Sequence, residues 1–178
     1  PGTIQNLLTV TLNSWTNFNN INSALYNLKS IPSKFENIKD IQEVFAHCYF
    51  DTMQTDNMFE KLTTNLKINY SRYHFFHVNY LISKGNEKKS KLILKSSLNL
   101  YPKNLILNQL QTDLNDQLIK YNDQFECKKI NHITAEMFYL IANGLATQSN
   151  YVTSNFYLNL AKFLNPKFSS FEILYAQN

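Results

Sequence analysis

Histidine and cysteine are the side chains of this sequence that could hold a metal ion, and two of their spacings match ligand patterns. His74 and His77 lie one helical turn apart, and Cys127 precedes His132 by five residues. Spacing alone is weak evidence for a metal site. His74 and His77 also fall among apolar residues. We therefore interpret both as partly buried, hydrogen-bonded core histidines and predict no metal and no cofactor.

The two cysteines, Cys48 and Cys127, form no C-x-x-C pair. Cys48 follows His47 within a predicted helix, where a cysteine usually packs as a small apolar side chain. We interpret Cys48 in that way. Two cysteines at this spacing indicate little about the redox compartment.

Catalytic motifs that depend on glycine do not occur in the sequence. Its glycines are Gly2, Gly85 and Gly144, so it contains no loop that could cradle a phosphate. Neither H-E-x-x-H nor G-x-S-x-G occurs. Carboxylate pairs such as Asp113 and Asp116 fall on ordinary polar helix surface. The sequence therefore predicts no catalytic residues and a protein that is not an enzyme.

Composition favours a folded protein built from long helices. The sequence is 44% hydrophobic and has 3 Gly and 4 Pro in 178 residues, too few breakers for a β protein with many turns. Asn accounts for 25 residues, and its abundance beside Lys, Ile, Tyr and Phe indicates an AT-rich genome. No stretch of 18 apolar residues occurs, so no membrane span is expected in this segment.

The positive charge does not by itself indicate nucleic-acid binding. The net charge is +4, and Arg72 is the only arginine among 17 basic residues. Proteins that read bases and phosphates use the planar guanidinium far more than this. The Lys-rich run at 87–91 is most simply the solvated face of a helix. We expect no specific nucleic-acid partner, although weak RNA binding driven by Lys remains an alternative function.

The elements that position these residues recur along the chain. Residues 73–102 and 137–166 align 64 residues apart, and each segment contains an aromatic-rich helix, a polar turn, a second helix and a stopping proline. In the second helix of each unit, one position is apolar in all four units: Leu28, Leu62, Leu94 and Leu158. A second position holds a small residue in three units: Ala24, Ser90 and Ser154. The predicted helix pairs are 4–16 with 20–31, 36–53 with 55–67, 70–83 with 86–100, and 135–147 with 151–164, followed by a lone helix from about residue 168.

On these residues the chain resembles the tetratricopeptide-repeat family, and its order of hairpins looks like that of uncharacterised alphaproteobacterial repeat proteins. The resemblance covers about four fifths of the chain. It implies an all-α, right-handed solenoid of helical hairpins, with about four and a half units in one domain over residues 1–178. It also implies a bacterial protein, of the cytoplasm or the periplasm, whose concave groove binds peptides or partner domains.

Residues 119–132 interrupt the repeat. They lack helical periodicity, and we interpret them as a long irregular connection in place of half a repeat. An eroded repeat whose second helix has drifted is the alternative. Because the chain begins without Met, and because residues 169–178 look like the first helix of a further unit, we expect a piece of a longer protein.

The first helices of the hairpins are expected to line the groove. Asn13, Asn79 and Asn143 occupy equivalent places, and a ladder of exposed carboxamides can pair with an extended peptide backbone. Phe75 and Tyr139 could then receive an apolar side chain. Chance placement in an Asn-rich sequence is the alternative. The full set of predicted groove residues is Asn13, His47, Arg72, Phe75, Asn79, Tyr139 and Asn143.

The predicted function is therefore a non-catalytic scaffold that binds a protein or peptide partner. The alternatives are the RNA-binding repeat and a structural or assembly segment. In the assembly alternative, the C-terminal helix pairs with further repeats or with a second copy in a homodimer.

Overall fold

The computed structural model describes residues 4–64, 68–116, 124–168 and 170–178. Within these ranges the chain is helical and contains no strand, which confirms the all-α prediction. A short 3-10 helix, Ser33–Phe35, precedes the third α-helix. The α-helices are α1 Ile4–Thr16, α2 Ile21–Leu28, α3 Glu36–Tyr49, α4 Thr55–Thr63, α5 Ser71–Ser83, α6 Glu87–Leu100, α7 Leu105–Asn115, α8 Ile130–Ala146, α9 Tyr151–Leu164 and α10 Ser170–Gln177.

The described helix boundaries follow the predicted pattern to within four residues, apart from the start of α8. α8 begins at Ile130, five residues before its predicted start, so the end of the predicted connection at 119–132 is helical. Residues 124–129 of that connection are non-helical, and 119–123 lie outside the described residues. The last residues predicted for the helix ending at 67 also lie outside them.

The contacts divide the chain into two compact units. Unit 1 comprises Pro1–Thr52 and Asp123–Asn178, and unit 2 comprises Met53–Asn122. In unit 2, α5 packs against α4, α6 and α7. In unit 1, α8 packs against α9 and also against α1 and α3, from which unit 2 separates it in sequence. Helical repeats that stack strictly in order contact only their sequence neighbours, and unit 1 departs from that order.

The α5–α6 and α8–α9 hairpins share one turn. Gly85 and Ser149 have positive φ of 70° and 58°, and the next residue is the N-cap of a helix in each case. The amide of Asn86 donates to the Leu81 carbonyl at 2.9 Å, which is the bond of a Schellman turn. Asn150 makes the same bond, to Leu145 at 3.0 Å. The 64-residue correspondence seen in the sequence is thus reproduced in backbone geometry.

Asparagine side chains start several of these helices. Asn20, Asn86, Asn104 and Asn150 each precede a helix, and each side-chain oxygen accepts a hydrogen bond from the backbone N–H three residues later. Such caps typically contribute about 1 kcal/mol each, because the first N–H groups of a helix have no partner inside it. Part of the Asn excess therefore has a structural role that the compositional interpretation missed.

The repeated apolar and small positions form the cores of the hairpins. All four of the repeated Leu positions are buried: Leu28, Leu62, Leu94 and Leu158. The small positions Ala24, Ser90 and Ser154 are buried as well, which permits close approach of the paired helices. The Ser154 hydroxyl donates across the α8–α9 pair to the Ala142 carbonyl at 2.9 Å. This part of the predicted register is confirmed.

Candidate functional site

The predicted groove residues do not share one environment. Asn13 and Asn143 are exposed, and Arg72 and Tyr139 are half-buried. Three others are buried, with exposed fractions of 7% for His47, 1% for Phe75 and 3% for Asn79.

The prediction that the amides of the ladder are solvent-exposed is therefore wrong for Asn79, and Phe75 presents no open surface to a ligand. The physical reason lies in α5, whose residues are buried without interruption from Tyr73 to Asn79. A helix buried on every side has no solvent face on which a register could place a groove.

The contacts of the remaining predicted residues are largely internal. The Arg72 guanidinium carbon lies 5.6 Å from the centre of the Phe76 ring, a cation–π contact. The Tyr139 ring lies 5.6 Å from the Phe171 ring of α10. The Asn13 side-chain oxygen accepts a hydrogen bond from the Asn17 amide one turn later.

His47 is held inside unit 1. Its Nδ1 lies 2.8 Å from the Thr52 hydroxyl, just beyond the end of α3. Burial lowers the pKa of His47 below its ordinary value, since the charged ring would lose its hydration. The residue therefore serves the packing of unit 1 more than the surface of a groove.

His77 is the centre of a polar cluster in unit 2. Its Nε2 lies 2.7 Å from Asp56 Oδ1, and because a carboxylate only accepts, Nε2 donates. Lys89 donates to the other Asp56 oxygen and lies 2.8 Å from Glu60 Oε1. The Phe59 ring stacks on His77 with centres 5.0 Å apart. The prediction of a buried, hydrogen-bonded histidine is confirmed for His77.

The Asp56 carboxylate of this cluster is stabilised by hydrogen bonds from Lys89 and His77. Burial alone would raise the pKa of Asp56, but hydrogen bonds from Lys89 and His77 lower it overall, so the carboxylate is ionised at neutral pH. Burial lowers the pKa of His77 despite the opposing effect of Asp56. His77 is fully buried, whereas 34% of the Asp56 side chain is exposed. The cluster is suited to fixing α5 against α4 and α6.

His74 differs from its neighbour in having buried ring nitrogens without a hydrogen-bond partner. Its ring centre lies 5.7 Å from that of Tyr101. Burial, together with the nearby His77, lowers the pKa of His74 from about 6.5 to about 4. The prediction that His74 is hydrogen-bonded is therefore wrong, whereas its core position is confirmed.

Within the described residues no three His, Cys, Asp or Glu side chains group as metal ligands.

Cys48 and Cys127 form a disulfide, with their Cα atoms 5.8 Å apart and a sequence separation of 79. Cys48 is buried, as the interpretation of it as a small apolar side chain requires, but that interpretation missed its bond to Cys127. The bond joins the C-terminal turn of α3 to the segment before α8, and it spans the residues of unit 2. No local sequence motif predicts this disulfide, because the bond forms only when the chain returns to α3 after unit 2.

The segment 124–129 is anchored to unit 1 by further contacts. The Phe45 and Phe125 ring centres are 5.1 Å apart, and the Lys128 ammonium donates to the Tyr49 carbonyl at 2.8 Å. His132 Nδ1 accepts from the Glu126 amide at 3.1 Å. With Cys127 in a disulfide and His132 hydrogen-bonded, the Cys127–His132 spacing serves packing and not a metal.

A pocket of about 220 Å³ opens in unit 1 where α1, α3 and α8 meet. We call it the α1–α3–α8 pocket. It is lined by Ile4, Leu7, Phe35, Ile38, Leu140, Ile141, Gly144, Leu145 and Gln148. Gln148 is the one strongly polar side chain among them. A cavity of about 150 Å³ with apolar walls can hold benzene, so this pocket has room for one bulky apolar group.

Gly144 forms an open part of the pocket wall, because a Cβ added there would meet no heavy atom within 4 Å. Asn143 directly precedes Gly144 on α8 but is not among the residues that line the pocket, so no member of the predicted ladder forms its wall. The sequence gives a single hint of this site, a glycine at a helix-interior position where a side chain is favoured by about 1 kcal/mol.

The chain matches no family model, no curated protein and no solved structure. In the described ranges, none of the helices has both the length and the apolar character to cross a membrane.

Proposed function

We propose that this chain is a non-catalytic binding module that takes up a segment of a partner protein, and that it is a divergent helical-hairpin repeat protein of the tetratricopeptide type. The duplicated α5–α6 and α8–α9 hairpins support the family assignment. They share the same turn, the same Asn caps and the same buried Ser and Leu positions.

The observation that carries the binding proposal is the α1–α3–α8 pocket. Its side chains are apolar apart from Gln148, and its volume suits one Leu, Ile or aromatic side chain. Burial of such a side chain is worth about 1.5–3 kcal/mol. That energy alone gives weak binding, so the partner segment must also contact the rim.

The rim offers one amide group for that second contact. The exposed Gln148 lines the pocket and its Nε2 donates to the Gly144 carbonyl at 2.9 Å, so its Oε1 can accept a backbone N–H from an extended peptide. The occupant is therefore a peptide segment with one bulky apolar residue and little restriction elsewhere. Asn79 takes no part in this binding surface because it is buried.

A phage-displayed random peptide library selected on the 178-residue chain tests the proposal. Enriched peptides should share one bulky apolar position. Gly144→Leu extends a side chain into the pocket, and it should weaken the binding of those peptides about 10- to 100-fold, the equivalent of the lost apolar burial. Gly144→Ala, which leaves the pocket open, is the matched control and should bind like the wild type. Equal binding to all three proteins, or no enrichment, contradicts the proposal.

A further inference from the structure

The outward face of α9 is apolar, although its inward face is already packed. Ser154, Leu158 and Ala161 are buried against the rest of unit 1. On the other side, Val152, Phe156 and Phe163 are exposed by 86%, 59% and 83%. An amphipathic helix of a hairpin normally turns polar residues to the solvent.

The exposed residues follow a coiled-coil spacing. Val152, Phe156, Asn159 and Phe163 are separated by four, three and four residues, which places them on one narrow stripe of the helix. We call this set the α9 seam. Asn159 is exposed with the others and stands at an inner position of the seam. In two-stranded coiled coils a single Asn at such a place fixes register and oligomeric state.

The chain contains its own comparison, because α6 is the second helix of the other copy of this hairpin. At the 64-residue offset, Lys88, Leu92, Lys95 and Asn99 replace the four residues of the α9 seam. α6 thus carries two lysines where α9 carries Val152 and Asn159. The face that carries lysines in α6 therefore carries no charged residue at the equivalent positions of α9.

We propose that the α9 seam is the contact surface of a homodimer, in which two copies of this chain pair α9 against α9. The absence of charge favours a second copy as the occupant, because identical surfaces do not then repel each other. Lys162 is the one charged residue of α9, and its ammonium lies 2.6 Å from Glu172 Oε1 of the same chain. This inference does not depend on the proposed peptide-binding function.

The exposed area is sufficient for a weak dimer. Tyr175 of α10, which lines a pocket together with Asn159 of the seam, is exposed by 52%. At about 200 Å² for each aromatic ring and about 100 Å² for a valine side chain, Tyr175, Val152 and the two phenylalanines of the seam expose roughly 500 Å² per copy. Two copies would bury about 1,000 Å², which is near the lower limit of specific interfaces. The dimer therefore dissociates at low concentration.

Sedimentation equilibrium of the full chain between about 1 and 300 μM tests the inference. The mass should rise with concentration from 20.9 kDa towards twice that value. The double variant Val152→Lys with Phe163→Asn transfers the α6 residues to α9, where the same hairpin already tolerates them, and it should remain monomeric. A single Phe163→Glu variant gives an independent disruption of the seam.

Leu92→Lys is the matched control, since Leu92 is a similarly exposed apolar residue of α6, with an exposed fraction of 61%. It should associate like the wild type. A wild-type mass of 20.9 kDa at every concentration overturns the inference. Equal association of the wild type and both folded seam variants also overturns it, because the contact then lies elsewhere.

Discussion

Acidification should destabilise this protein through His74, and the direction follows from its burial. In the folded protein the pKa of His74 is lowered to about 4, whereas an exposed histidine has its ordinary value near 6.5. As the pH falls below 6.5, the unfolded chain gains a proton that the folded chain does not yet bind. Stability is therefore fully present above pH 6.5 and is lost as the pH falls towards 4.

The magnitude follows from that difference in pKa. The complete difference of about 2.5 pH units corresponds to about 3 kcal/mol, of which about 2 kcal/mol is lost between pH 7 and pH 5. The pKa values of His77 and His47 are also lowered, and both losses have the same sign. Asp56 titrates below this interval, so its ion pair with Lys89 does not mask the effect.

His74→Phe isolates the contribution. Phenylalanine keeps the ring beside Tyr101 and removes two buried nitrogens without partners, so stability at pH 7 should be unchanged or higher. The loss of unfolding free energy between pH 7 and pH 5 should shrink by about 2 kcal/mol, measured by urea denaturation followed by circular dichroism.

Phe75→Leu is the matched control, because it perturbs the same buried helix without a titratable group and should lower stability equally at both pH values. If His74→Phe keeps the full pH dependence of the wild type, the reasoning from burial is refuted.

Three further sets of substitutions test the fold by equilibrium denaturation. Gly85→Ala places a side chain at positive φ and should destabilise by about 1 kcal/mol, whereas Gly144→Ala lies within a helix and should stabilise by about 0.5–1 kcal/mol; equal signs would show that one backbone assignment is wrong. Cys127→Ser opens a 79-residue loop and should cost up to about 4.5 kcal/mol, and an unchanged melting temperature would contradict the disulfide. Leu94→Ala and Leu158→Ala should each cost about 2–5 kcal/mol through cavity formation, and two neutral substitutions would contradict the repeated core register.

The features that could be predicted from the sequence are those encoded within one hairpin. Leu94 and Leu158 signal their burial through helical spacing, and Pro102 and Pro166 mark the ends of α6 and α9, because a proline cannot continue a helix. Such signals need only neighbouring residues.

The features that could not be predicted depend on contacts between distant parts of the chain. The pairing of Cys48 with Cys127 and the packing of α8 on α1 both join segments separated by unit 2. Asn79 matches Asn13 and Asn143 in sequence position, but α5 is covered on every side, so its equivalent position is buried. A repeat register predicts on which face of its helix a residue lies. It does not predict which other elements of the protein cover that face.

The most direct test of the binding proposal is a methyl NMR titration of the full chain with a peptide selected from the library. The proposal predicts that shift changes are concentrated at the methyl groups that line the α1–α3–α8 pocket, those of Ile4, Leu7, Ile38, Leu140, Ile141 and Leu145. Gly144→Leu should abolish those changes, and Gly144→Ala should preserve them. Shift changes confined to other methyl groups, or changes that persist in Gly144→Leu, would contradict the assignment of this pocket as the binding site.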